Sequence, residues 1–85
     1  MNRKLLFEDA NNSLLKLAKN IRGSILTEFY YMDISKFEHV NTKHLTKKEI
    51  MEYISHKDDI YFFTQFKGVE TQEVISNIIF KMNKN

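Results

Sequence analysis

Eighty-five residues with a formal net charge of +2, 42% hydrophobic and 28% charged, predict one folded domain over 1–85 rather than a disordered chain. A chain of this length can bury roughly 60–65% of its unfolded surface, enough for one modest core and not for a cofactor domain beside a substrate domain. Cysteine is absent, which excludes disulfides, thiolate nucleophiles and Cys-based zinc sites.

The opening MNRKLLFEDANN holds a short apolar run that Glu8 and Asp9 cut off, unlike a signal peptide. The longest purely apolar run, IYFF at 60–63, is far short of a membrane span. The expectation is a soluble cytoplasmic protein. A pI near 8.9 is only mildly basic. All but two of the thirteen basic residues are Lys, and Ile and Asn are abundant. That bias fits an AT-rich genome, as phages and mobile elements often have, and says little about chemistry.

Residues 4 to 22 read as a first helix. Phe7, Ala10, Leu14, Leu17, Ala18 and Ile21 recur at helical spacing, acids precede and bases follow, and Gly23 stands where a left-handed cap would sit. Residues 24–33 can be read in two ways. Ile25, Leu26, Phe29 and Met32 would extend the same apolar stripe, with Gly23 on the opposite side. Yet ILTEFYY is rich in β-branched and aromatic residues that favour a strand. LTKKEI is the clearest signal in the chain. Thr46 and Glu49 make a capping box with Leu45 and Ile50 as the hydrophobic staple, predicting a helix over 47–57. Residues 60–67 alternate as a strand would, and their aromatics make no single helical stripe with Ile60. Over 71–83 Val74, Ile75, Ile78, Ile79 and Met82 predict a last helix, with Thr71 available as its cap.

An isolated strand needs a partner, and 25–33 is the best candidate to pair with 60–67. Gly23 is therefore read as a stop, and the predicted fold is α+β in the order α-β-α-β-α with a two-stranded sheet. The alternative is an all-α bundle with a long N-terminal helix. A homodimer, with 60–67 pairing across the axis, is a further variant.

No catalytic arrangement is found. The serines lie in no nucleophile elbow, and there is no phosphate-cradling Gly-rich loop. Glu49, Glu52 and His56 share the outward face of the third segment, next to Lys57, Asp58 and Asp59, but their spacing matches no established metal motif. The expectation is a non-enzyme without metal or cofactor. Lys43, Lys47 and Lys48, with Lys36 and Lys57 nearby, could meet the phosphates of a nucleic acid. As a recognition helix, however, IYFFTQF offers base edges almost nothing.

The high aromatic share favours a third reading. Tyr30 and Tyr31 are adjacent, so one must point away from the core, and Phe80 lies opposite the last apolar stripe. Exposed rigid aromatics often mark partner surfaces. Tyr30, Tyr31, Tyr61, Phe63 and Phe80 are thus the expected partner-binding residues. The function expected is a small regulator or inhibitor that docks on another protein, encoded by a phage or mobile element and aimed at a host protein. A nucleic-acid-binding regulator using Lys43, Lys47 and Lys48 is the alternative.

Overall fold

Gly23 does not end the first helix. In the computed structural model, which describes residues 6, 7 and 11–84, α1 runs through it over Asn12–Tyr30. Asn11 caps the start, its side-chain oxygen accepting from the Leu14 N–H at 2.9 Å. The expected start at residue 4 and the acids Glu8 and Asp9 lie outside the described residues. Along α1 the residues Leu14, Ala18, Ile21, Ile25 and Phe29 follow one another three or four positions apart; Ala18, Ile25 and Phe29 are buried and the other two half-buried. Gly23 faces the other way. A Cβ added there would meet no atom within 4 Å. A helical Gly costs about 1 kcal/mol relative to Ala, whereas burying the two large side chains beyond it contributes about 3–6 kcal/mol. The apolar stripe outweighs the glycine, and the helix continues.

After α1, Asp33 accepts from the Ser35 N–H at 3.0 Å and caps a 3₁₀ turn, Ile34–Phe37. That turn buries Phe37 edge-on to Phe29, with ring centroids 5.9 Å apart. Asn41 is buried in the loop that follows. Its side chain makes two bonds to one residue, accepting from the Leu45 N–H at 2.8 Å and donating to the Leu45 carbonyl at 2.9 Å. This side-chain bridge spans His44, whose φ of 54° is in the left-handed region.

The capping box then forms as the sequence specifies. Thr46 Oγ1 accepts from the Glu49 N–H at 3.1 Å, and the Glu49 carboxylate accepts from the Thr46 N–H at 3.0 Å. It opens α2, Lys47–His56, which buries Ile50 and Ile54. Asp59 caps a short α3, Ile60–Thr64, by accepting from the Tyr61 N–H at 3.1 Å. Gly68, at φ 79°, supplies the left-handed residue in the turn that leads to α4, Thr71–Asn83. The N-cap of α4 is Glu70, without a side-chain capping bond. Thr71, expected as that cap, instead donates its hydroxyl to the Glu28 carboxylate and ties α4 to α1.

The α+β fold with a two-stranded sheet is therefore corrected to an all-α bundle with a long first helix. Among the described residues there is no strand, only an isolated antiparallel bridge between Leu6 and Asp59. With 24–30 helical, 60–67 has no strand to pair with. It winds into α3 and the turn after it, and Ile60, Phe62, Phe63 and Phe66 are all buried. A helix enclosed on two sides does not need a single apolar stripe. Phe63 packs edge-on to Phe7 beneath Arg22 of α1, while Phe62 packs edge-on to Tyr53 of α2. The first helix touches α2, α3 and α4 in turn.

Because Gly23 is helical, exposed and surrounded by open space, Gly23→Ala is expected to stabilise the protein by about 0.5–1 kcal/mol. A urea titration of both proteins measures this; a loss of stability would contradict the continuous helix.

Candidate docking surface

Four of the five aromatic residues singled out from the sequence are exposed: Tyr31 (82%), Tyr30 (61%), Phe80 (54%) and Tyr61 (47%). Phe63 is fully buried. The strand reading had placed it on an outer face with Tyr61, but helical winding carries it about 200° around the axis from Tyr61 and into the core. Phe63 therefore leaves the docking set. Tyr30 and Tyr31 pair edge-on, with ring centroids 5.0 Å apart, at the end of α1. Tyr61 lies on α3 and Phe80 near the end of α4, and no ring contact among the described residues joins them to the tyrosine pair.

The tyrosine pair is held by Lys47. Its ammonium donates to the carbonyl oxygens of Tyr30, at 2.9 Å, and of Met32, and lies 5.6 Å from the centre of the Phe29 ring. The last carbonyls of a helix have no intrahelical donor and carry the negative end of its dipole. A cation from the first turn of α2 thus caps the last turn of α1. Lys47 is half-buried, and two of its three N–H donors are committed to these carbonyls. Lys43 and Lys48 remain exposed beside it.

Phe80 forms one wall of a cleft of about 420 Å³ lined by His39, Val40, Thr42, Asn83 and Lys84. The Lys84 ammonium rests 4.7 Å from the centre of its ring. Asn83 donates its side-chain N–H to the Val40 carbonyl and closes the floor, while its Oδ1 is buried without a donor.

The third helix-and-turn segment of the sequence, considered for metal binding, holds its acids otherwise. Glu49 is bound into the capping box and Asp59 caps α3. No group of three His, Asp or Glu among the described residues could hold a metal ion. The bonds from the Thr46 backbone and hydroxyl hold the Glu49 carboxyl below the ordinary glutamate range. Asp33 is likewise lowered, chiefly by the Ser35 N–H.

Sequence reasoning missed Lys47 as a cap and Asn41 as a loop bridge. Asn41 could have been suspected as a turn former just ahead of the capping box. Nothing local marks Lys47, because its acceptors lie fifteen and seventeen residues away.

Comparison with family models, with curated proteins and with solved structures finds no match. No helix among the described residues is long and apolar enough to cross a membrane.

Two outcomes test this geometry. Lys47→Met is expected to lower stability by about 1–2 kcal/mol in urea titrations, while Lys48→Met stays within about 0.5 kcal/mol of the parent. For Glu49 the folded pKa lies below the unfolded one. Its stabilisation is therefore complete above the ordinary glutamate value and is lost as pH falls through the folded value. Glu49→Gln should make the decline in stability between about pH 6 and about pH 3 shallower, by less than one proton's worth of slope.

Proposed function

We propose that this chain is a small non-catalytic protein that docks on another protein and regulates or inhibits it. The observation that carries this reading is the Tyr30–Tyr31 pair. Two large rings stand in solvent at the end of a helix, on a backbone fixed by Lys47, in a protein whose core buries Phe29, Phe37, Phe62, Phe63 and Phe66. Rigid aromatics lose little entropy on binding and bury much area, which is why they anchor protein interfaces. Phe80, beside an apolar cleft, offers a second anchor of the same kind. A phage or mobile-element origin, with a host protein as the target, is consistent with the Lys-, Ile- and Asn-rich composition.

The test is affinity capture from source-cell lysate, after nuclease treatment, by the parent protein and by Tyr30→Ala/Tyr31→Ala. Both tyrosines are exposed, so the variant should unfold in urea near the parent midpoint. A stoichiometric protein retained by the parent and bound about 30-fold more weakly by the variant is the expected result. Capture abolished by nuclease would overturn the reading in favour of nucleic acid. Capture of the protein's own copy would make the tyrosine pair a dimer contact.

A further inference from the structure

The lysines that share a stretch of sequence, 43, 47 and 48, are not the ones the fold gathers. Lys57, at the end of α2, and Lys81, on α4, are far apart in the chain and both approach one ring. The Lys57 ammonium lies 4.9 Å from the centre of the Phe62 ring and the Lys81 ammonium 5.2 Å from the same centre. The two charges are therefore no further apart than the sum of those distances. Lys57 also donates to the Tyr53 hydroxyl at 3.4 Å, and Lys81 lies 5.8 Å from the centre of the Phe66 ring.

Three properties of this cluster favour an anion. First, among the described residues no carboxylate pairs with either ammonium; their partners there are rings and a phenol. Asp58, next to Lys57 in sequence, is exposed. Second, a cation over a ring satisfies that charge without using its N–H donors, which stay free to bind oxygen. The Tyr53 hydroxyl accepts from Lys57 and keeps its own proton to donate, so the cluster offers two charged donors and one neutral one. Third, its floor is apolar and nearly dry, because Phe62 and Phe66 are 6% and 7% exposed. Charge-assisted hydrogen bonds over such a floor are less screened than on an open surface. A tetrahedral oxyanion presents several acceptor oxygens and can bridge two ammonium groups that would otherwise repel each other.

We infer that Tyr53, Lys57 and Lys81 form a binding site for a phosphate group. The site is separate from the tyrosine pair and holds whether or not that pair docks a protein. The phosphate can belong to a free or small phosphorylated ligand or to a nucleic-acid backbone, and the chemistry of recognition is the same.

The experiment is a titration of the ¹⁵N-labelled full chain with inorganic phosphate, against chloride at matched ionic strength, followed by amide chemical shifts. A parallel arm uses a short single-stranded oligonucleotide. Saturable shifts around residues 53–57, 62 and 81 are expected with phosphate and not with chloride. Lys81→Gln should weaken binding roughly tenfold and Tyr53→Phe, which keeps the ring, about threefold. Lys81→Arg should retain binding and Lys48→Gln should leave it unchanged. Tighter binding of the oligonucleotide, lost with Lys81→Gln and displaced by phosphate, would support the site and assign it to nucleic acid. Phosphate binding alone would support it and assign it to a small phosphorylated ligand. Shifts identical to those in chloride, or unaltered by Lys81→Gln in a variant that melts normally, would overturn the inference.

Discussion

The apolar stripe of α1 sets the rest of the architecture. Leu14, Ala18, Ile21, Ile25 and Phe29 form one line of contact, and α2, α3 and α4 each touch the helix that carries it. Once residues 24–30 belong to that helix, 60–67 loses the neighbour it would need as a strand. It must bury its aromatics on more than one side, and a short enclosed helix does so. Phe63 then faces α1 while Phe62 faces α2 and the lysines of the other flank. Beside the aliphatic core of Ile50, Ile54, Ile75, Ile78 and Ile79, one flank of the interior is a chain of edge-to-face rings, from Phe7 through Phe63 and Phe62 to Phe66 and Tyr53. Such pairs contribute about 0.5–1.5 kcal/mol each beyond their buried area.

Cations complete that interior. Arg22 lies over Phe7 and Phe63, Lys47 over Phe29, Lys57 over Tyr53 and Phe62, and Lys81 over Phe62 and Phe66. Their aliphatic stems cover ring faces that the short chain cannot enclose, while their heads stay near water. A modest excess of basic residues is thus partly structural. This changes how the charge relates to function. Lys47 stabilises a helix end and Lys57 lies half-buried over Phe62, while the exposed lysines, among them Lys16, Lys19, Lys36, Lys43, Lys48 and Lys67, are spread along the chain.

The aromatic docking residues separate along the same lines. That at least one of Tyr30 and Tyr31 is exposed was legible, because neighbours on either a helix or a strand cannot both face inward; that both are exposed was not. Phe80 was legible from its position opposite the Val74–Ile78 stripe. Phe63 was not, since its side depended on whether the segment repeats every two residues or every 3.6. What brings Tyr30 and Tyr31 together as a fixed pair is also not local: the donor that holds their backbone comes from the next helix.

By itself the sequence determined what is decided within a few residues. The capping box at Thr46 and Glu49, the last helix over 71–83 with its buried isoleucines, and the absence of cysteine chemistry all rest on local hydrogen bonds, spacing or composition. Tertiary structure alone decided the fate of Gly23 and of the IYFFTQF segment. Local preference there is weak and divided, a matter of about 1 kcal/mol, and burial against distant helices is worth several times more. The same holds for Lys47 and for the approach of Lys57 and Lys81 to one ring, because a long charged side chain takes its role from whatever ring or carbonyl the fold brings within reach.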